Sequence, residues 1–317
     1  MTTLNELKRE MKVIGRAKAI ERVREGEAKK SGKKYLAYTL IVAVENEKTG
    51  TVDDIRVDFF SMEGSSPYTS QTKFLQEGKT VENSSKEEAN IVSIAGRVEL
   101  EEYVNKNGNH VVFNKLQGAF IHRLDEDMKH RAVANVETVI TEIKDKLNED
   151  DLPTGEKELS GFTVGYKESV IVIPEAIVPK QLAEDFVKLY REGQTAMLTY
   201  QFINRAIDDE DDKVEEEDDA PTAAFGAVAD INAGRGKSFT RFDKRTLVVG
   251  GLQPYDEDLA LTQDEIKQAL ELRKQKEAEV VNSTYDVPAP PKEVVKKAED
   301  NVGGFGNGFD NSSIPDF

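Results

Sequence analysis

The chain has 317 residues, with 43 Lys and Arg against 60 Asp and Glu, and a formal net charge of -17. Such an acidic chain is not a uniformly cationic nucleic-acid coat. It contains no cysteine, which excludes a disulfide scaffold, a thiolate nucleophile and cysteine-rich metal sites. At roughly 100–200 residues per domain, the length predicts two domains with additional tails.

The acidic charge is distributed unevenly along the chain. Residues 1–40 hold eleven basic and five acidic side chains, whereas Asp208–Asp219 reads DDEDDKVEEEDD. A block of like charges repels itself and is typical of a disordered loop. The N-terminal part is therefore a basic region within an acidic chain. The first twenty residues lack the apolar core of a signal peptide, so we expect a soluble intracellular protein.

Residues 1–125 predict an OB-like barrel domain. Apolar residues alternate with polar ones over 11–19 and 54–59, and apolar runs cover 35–44, 91–104 and 110–121. Period-two alternation indicates a strand with one buried face. Five strands in about 110 residues match the count and spacing of a small five-stranded barrel of the OB type. A sandwich is the alternative.

The fourth and fifth of these strands are predicted to form a hairpin. Asn107-Gly108 lies between them, and this dipeptide favours a type I′ turn, in which both central residues take positive φ. Residues 61–90 are interpreted as a loop-rich excursion between the third and fourth strands.

Residues 126–158 predict an amphipathic helix and a linker. Within 130–148 the apolar residues Val133, Val136, Ile140, Ile143 and Leu147 recur at steps of three and four, which is the helical period. The acidic segment EDDLPTGEKE follows and predicts a domain boundary.

A second β-rich domain, possibly OB-like as well, is predicted over 159–255. It contains four apparent strands, a helix around Leu182, Phe186 and Leu189, and an acidic insertion over 207–233. Thr262 and Glu265 form a capping box ahead of a surface helix over 256–281. Residues 282–317 have linker composition and predict a disordered tail. The predicted fold class is thus mainly β with accessory helices.

Cations beside aromatic residues in the first domain predict a surface for single-stranded nucleic acid. Bases stack on aromatic faces, worth roughly 1–3 kcal/mol per base, while Lys and Arg neutralise the backbone. Alternation puts Phe59 and Phe60 on opposite faces, and Phe60 shares its face with Arg56. The candidate residues are Arg16, Lys18, Lys33, Lys34, Tyr35, Tyr38, Arg56, Phe60, Arg97, Tyr103 and Lys106.

A second basic and aromatic cluster follows the acidic block. It consists of Arg235, Lys237, Phe239, Arg241, Phe242, Lys244 and Arg245. One interpretation is an auxiliary nucleic-acid-binding arm whose resting partner is the acidic block, so that deleting Asp208–Asp219 would tighten binding. The other is an intramolecular charge pair that keeps a long loop soluble.

The C-terminus is a glycine-rich spacer that ends in an acidic and aromatic tip, Ile314, Pro315, Asp316 and Phe317. Together with the barrel pattern, this tip resembles that of bacterial and phage single-stranded DNA-binding proteins. The resemblance implies a phage-encoded protein of the host-cell cytoplasm whose tip recruits replication or recombination proteins. Asp316 departs from the family pattern because it separates Pro315 from Phe317.

The sequence offers little for an enzyme. Its histidines, His110, His122 and His130, have spacings that match no common metal motif, and the glycines of the tail follow no strand, as a phosphate loop requires. We therefore expect no catalysis, no metal and no cofactor. The leading hypothesis is a protein that coats single-stranded DNA. The alternatives are an acidic protein-interaction or assembly factor without nucleic-acid binding, and an RNA-binding module.

Overall fold

The computed structural model describes residues 4–29, 31–105, 107–125, 128–207 and 241–283, which form ten strands and three α-helices. The strands are β1 (Arg9–Glu27), β2 (Lys34–Glu45), β3 (Val52–Met62), β4 (Ile91–Val104), β5 (His110–Leu124), β6 (Arg131–Leu147), β7 (Pro153–Val164), β8 (Val170–Val178), β9 (Thr195–Ile207) and β10 (Arg241–Gly251). The helices are α1 (Ser66–Glu77), α2 (Lys180–Leu189) and α3 (Gln263–Ser283).

The first five strands close into a ring, which we call ring 1. β1 pairs with β2, and β2 pairs with β3, both antiparallel. β3 pairs parallel with β5, and β5 returns through β4 to β1. α1 connects β3 to β4. This is the connectivity of a five-stranded OB fold, so the OB-like prediction is confirmed.

The next five strands repeat this connectivity as ring 2. β6 pairs with β7 and β9, β7 pairs with β8, and β10 lies between β8 and β9. α2 connects β8 to β9, as α1 connects β3 to β4. The prediction of a mainly β chain with a second β-rich unit is confirmed. The disordered tail of that prediction lies outside the described residues.

The two rings are joined through their first strands. β1 pairs antiparallel with β6, from Arg9 opposite Val136 to Ile14 opposite Arg131. Each ring also extends a hairpin to the other: the Asn114 amide donates to the Val172 carbonyl at 2.7 Å, and the Asn204 amide donates to the Asp54 carbonyl at 2.6 Å. The ten strands therefore form one continuous sheet.

The helix predicted over 130–148 is wrong, because Arg131–Leu147 is strand β6. Ring 2 thus begins with β6 and not at residue 159. Two features mimic the helical period. Residues 136–140 are all buried, because Val136 and Ile140 pack in one apolar cluster and Val139 packs in another on the opposite face. β-bulges after Ile140 and Asp145 then shift the inward-facing positions by one residue.

Two local predictions in ring 1 are also corrected. The Gly108 N–H donates to the Asn105 carbonyl, the Asn105 N–H donates to the Asn109 carbonyl, and Gly108 has φ 79°. Within the described part of this turn only Gly108 has positive φ, so the loop matches a type I turn with a glycine bulge and not type I′. The excursion over 61–90 contains α1.

Helix α3 begins with the predicted capping box. The Glu265 N–H donates to Thr262 Oγ1 at 3.3 Å, and the Thr262 N–H donates to Glu265 Oε2 at 2.8 Å. Ile266 and Ala269 pack into a buried apolar cluster with Leu4 and Leu7. None of the described helices is long and apolar enough to span a membrane.

Candidate nucleic-acid interface

The outer face of β2 and β3 carries an aromatic pair, half-buried Tyr35 and exposed Phe60. Their ring centroids lie 6.1 Å apart with planes inclined by 29°. Phe60 is 55% exposed, whereas its neighbour Phe59 is 2% exposed. Adjacent residues on a strand point to opposite faces, so Phe59 fills the core and Phe60 presents its ring to solvent. We call Tyr35 and Phe60 the ring pair.

Cations border the ring pair at the end of the β1–β2 hairpin. Arg24 lies opposite Ala37, and Ala37 lies opposite Phe60. The small Ala37 side chain on β2 therefore lies between Arg24 on β1 and Phe60 on β3. The backbones of β1 and β3 are about 10 Å apart there, which is two strand spacings. Lys33 and Lys34 are exposed just before Tyr35. These three cations make no ion pair with any other residue that the structure describes.

The other candidate cations of ring 1 have partners. Lys18 pairs with Asp54, Arg56 with Glu21, and Arg97 with Glu99. The Arg16 guanidinium donates to the backbone carbonyls of Lys86 and Ala89. The cationic lining expected along the strands is thus interrupted by carboxylates, and the available positive charge is concentrated beside the ring pair.

Tyr38 is not a surface residue, contrary to the prediction. It is 2% exposed and stacks on Phe59 with centroids 4.6 Å apart. Burial raises the pKa of its hydroxyl group. Tyr38 lies three residues after Tyr35, and alternation along β2 sends the two rings to opposite faces. It therefore stabilises the core and cannot stack with a base.

The structure brings Tyr103 of the first predicted cluster and Lys244 of the second together at the junction of ring 1 and ring 2. Tyr103 on β4 is 43% exposed and meets Phe113 on β5 edge to face, with centroids 6.5 Å apart. Lys244 on β10 places its ammonium 5.2 Å from the Phe113 ring centroid. Phe242, two residues earlier on β10, is 62% exposed. This second cluster combines aromatic faces with a cation–π contact.

Phe113 is a member of this cluster that sequence reasoning missed. The run HVVF predicts a returning strand, and Phe113 is its outward-facing aromatic residue. Glu101 lies opposite Phe113, and the ion pair of Glu101 with Lys115 runs along the same face. Strand alternation was the signal that could have identified it.

The two clusters lie on one face of ring 1. The parallel register of β3 and β5 puts Val57 opposite Leu116, and Asp54 and Phe113 each lie three residues before these paired positions. Asp54 is six residues from Phe60 on β3, which corresponds to about 20 Å. Aromatic rings therefore mark both ends of a face about 20 Å long.

Arg245 belongs to an ionic cluster between the rings. It pairs with Asp243, which also lies 3.8 Å from Arg205, and Arg205 contacts the buried Asp53 at 3.2 Å. Burial raises the pKa of Asp53, and the charge of Arg205 opposes this shift. Arg245 is thus held at the edge of this cluster by Asp243, while 41% of its side chain stays exposed.

A family model named YorF matches residues 8–283. The chain belongs to the YorF family. No curated protein sequence matches it.

This YorF-family chain is similar to several solved structures. Wild-type single-stranded DNA binding protein from Thermus aquaticus is 10% identical, with 80% of this chain and 95% of that chain covered and a TM-score of 0.46. A deletion mutant of the same protein is 12% identical, with 80% and 97% covered and a TM-score of 0.46. Plasmodium falciparum SSB in complex with ssDNA is 11% identical, with 39% and 100% covered and a TM-score of 0.25.

Several predicted site residues of the YorF-family chain lie outside the described part. These are Lys106, Arg235, Lys237, Phe239, Ile314, Pro315, Asp316 and Phe317. Arg241 is the first residue of β10. Among the residues that the structure describes, no group of three or more His, Asp or Glu could hold a metal ion.

Proposed function

We propose that this protein binds single-stranded DNA through ring 1. The observation that carries the proposal is the ring pair, half-buried Tyr35 and exposed Phe60, bordered by Arg24, Lys33 and Lys34. A solvent-exposed ring offers a stacking face to any base, and nearby cations without carboxylate partners neutralise phosphates at no cost of breaking an ion pair.

Ring 2 offers a contrasting surface at the equivalent strands. Across β6 and β7, Lys144 pairs with Glu158, Lys146 with Glu156, and Lys157 with Asp145. A strand of nucleic acid would have to break these pairs and approach the carboxylates. We therefore assign the main binding face to ring 1, and the cluster of Tyr103, Phe113, Phe242 and Lys244 extends it toward the junction.

The binding mode we propose is non-catalytic coating of exposed strands during phage DNA replication or recombination, in the cytoplasm of the host cell. Residues 235–245 supply an auxiliary contact, and the tip Ile314–Phe317 recruits a partner protein. The resemblance of the tip supports the partner contact, and the position of Lys244 over the Phe113 ring supports the auxiliary contact.

Fluorescence anisotropy with labelled oligonucleotides tests the proposal, because the protein contains no tryptophan to follow. The full chain is titrated with oligothymidine, oligouridine and a DNA duplex of equal length at several salt concentrations. We expect the oligothymidine to bind more tightly than the duplex and binding to weaken as salt rises. Equal affinity for the duplex, or no dependence on salt, would contradict the proposal. Tighter binding of oligouridine would assign the surface to RNA.

A further inference from the structure

The two rings contain equivalent grooves between a helix and the last strand of the ring. α1 and α2 correspond with an offset of 112 residues: Gln71 and Ala183 are buried, as are Phe74 and Phe186. Each helix ends with the same hydrogen bond, from the N–H of Gly78 to Phe74 and from the N–H of Tyr190 to Phe186. The same groove can therefore be compared in ring 1 and ring 2, where it is lined by different side chains.

In ring 1 the groove is polar and bridged. Ser70 and Lys73 of α1 face His122 and Arg123 of β5 across it. The Arg123 guanidinium pairs with Glu77 at 2.6 Å and joins the end of the helix to the strand. The groove of ring 1 is therefore crossed by an ion pair between β5 and α1.

In ring 2 the equivalent groove is mostly apolar and open. Leu182 and Leu189 replace Ser70 and Glu77. Asp185 replaces Lys73, and Gly250 stands where ring 1 has Phe120. Leu182 is 39% exposed. We call the space between α2 and β10, lined by Leu182, Phe186, Leu189, Val248 and Gly250, the α2 groove. Its volume is about 150 Å³, and a cavity of about this size holds a benzene ring.

The backbone of β10 is accessible along this groove. β8 meets β10 at one register position, Leu247 opposite Ile177, and the chain then turns into α2 at Lys180. Gly250 and Gly251 are exposed beyond that position. An extended peptide can pair with such a strand edge while one side chain enters the groove.

We propose that the α2 groove binds the uncharged segment Gly303–Phe309 of this same chain, with the ring of Phe305 or Phe309 inserted. The segment reads GGFGNGF, so its glycines allow close backbone approach and its two rings match the volume. The acidic tip is a poorer occupant, because Asp185 lines the groove and repels Asp316 and the terminal carboxylate. The inference does not rest on DNA binding.

The length of the chain beyond α3 fits this occupant. The start of α3 lies near the groove, since the Gln263 amide reaches Gly193 and the Tyr255 N–H bonds to Thr195. α3 has 21 residues and is about 31 Å long. Twenty-six residues lead from Ser283 to Phe309, and a glycine-rich linker of that length has an average span of about 25–31 Å. A tether whose average span equals the distance to its site gives the highest effective concentration.

Hydrogen–deuterium exchange on the full-length chain tests the proposal. In the wild type, the amides of residues 248–252 should exchange at least about threefold more slowly than in the double variant F305A/F309A, which corresponds to a docked fraction of about two thirds. Asn307→Ala, in the same segment, is the matched control and should leave exchange unchanged. Equal exchange in the wild type and the double variant would overturn the proposal.

Two groove variants copy residues of ring 1. Leu182→Ser reproduces Ser70, and Gly250→Phe reproduces Phe120; a Cβ at Gly250 meets no atom closer than 3.9 Å, so the position has room for a side chain to begin. Each should lose the protection, and combining either with F305A/F309A should give no further loss. The protection should not change with protein concentration. Protection that rises with concentration would mean that a second copy supplies the segment and would overturn the assignment to the same chain.

Discussion

Consecutive aromatic residues on β3 have different surroundings. Phe59 stacks on Tyr38 in the core of ring 1, and Phe60 stacks on Tyr35 at the surface. Gly118 on β5 allows this inner stack, since a Cβ there would overlap the Phe59 ring. Sequence alternation separates Phe59 from Phe60, but which ring faces the core depends on the cross-strand neighbours, which the sequence alone does not identify.

The hydroxyl of Tyr38 is buried and has no hydrogen-bond partner among the described residues. Tyr38→Phe removes an unsatisfied polar group, so we expect the free energy of unfolding to rise by about 1 kcal/mol. Affinity for oligothymidine should not change. Urea denaturation measures the stability. The control is Tyr200→Phe, which removes a 3.0 Å bond to Thr138 and should destabilise by about 1 kcal/mol. A Tyr38→Phe variant less stable than Tyr200→Phe would contradict this account.

Lys33 and Lys34 are expected to contact phosphates. Replacing both by alanine should make the plot of log affinity against log salt shallower by about 1.4 for single-stranded DNA, because each lost contact removes about 0.7. Lys274 and Lys276 on α3 are exposed lysines with carboxylate partners, and their double alanine variant is the matched control. Anisotropy at a series of salt concentrations gives both slopes. Equal changes in the two variants would count against a site at the hairpin.

At the scale of elements, β6 shows why a strand can carry a helical pattern. Its bulges and its double-sided burial produce spacings of three and four between Val133, Val136, Ile140, Ile143 and Leu147. The sequence did not predict α1, because the only buried residues of this helix are Gln71 and Phe74. Two buried positions, one of them polar, make an apolar face too narrow to indicate a helix. The hairpins and apolar strands were predictable because their alternation is local.

α3 is fixed to ring 1 by a buried ion pair. The Arg273 guanidinium donates to both carboxylate oxygens of Glu102 at 2.6 Å, and the two side chains are 10% and 7% exposed. Glu102→Gln leaves a buried cation without its counter-ion, so we expect a loss of about 3 kcal/mol in unfolding free energy. Glu277→Gln is the control, because Glu277 is half exposed and lies 3.7 Å from His110; its effect should stay within about 0.5 kcal/mol.

The effect of Glu102→Gln should depend on pH. The hydrogen bond from Arg273 lowers the pKa of Glu102, while burial opposes this shift. A carboxylate with a lowered folded-state pKa contributes stability above its unfolded value of about 4.3 and loses it as pH falls through the folded value. Urea denaturation should therefore show the difference between wild type and variant at pH 7 and a smaller one below about pH 4. A difference that grows on acidification would contradict the assignment.

For the whole molecule, ring closure was the least predictable feature. Pairing of β3 with β5, and of β8 with β10, joins segments separated by more than fifty residues, and local periodicity contains no information on it. The equivalence of the rings was likewise hidden, because the groove residues Ser70 and Leu182, or Phe120 and Gly250, differ in polarity or size. The sequence predicted that the candidate site combines aromatic side chains with cations. It did not predict which of those cations form ion pairs, because the pairs join residues on different strands.

Three tyrosines with raised pKa values are expected to make the folded state less stable at alkaline pH. Burial raises the pKa of Tyr38 and Tyr200, and burial together with a hydrogen bond to Glu137 raises the pKa of Tyr255 to about 12. Because the unfolded value is about 10, this stability is complete below pH 10 and is lost as pH rises through the folded values. Urea midpoints should fall between pH 10 and 12, and less so in Tyr38→Phe/Tyr255→Phe. A midpoint constant over this range would contradict the account.

The proposed function depends most directly on Phe60. Tyr166 offers a matched control, since it is 66% exposed and has the Lys167 ammonium 5.5 Å from its ring centroid, but lies between β7 and β8 of ring 2. Oligothymidine anisotropy should show a loss of roughly 5- to 150-fold in affinity for Phe60→Ala, equivalent to about 1–3 kcal/mol of stacking. Tyr166→Ala should bind as the wild type does. Unchanged affinity in Phe60→Ala, or an equal loss in both variants, would contradict the claim that ring 1 binds single-stranded DNA through this face.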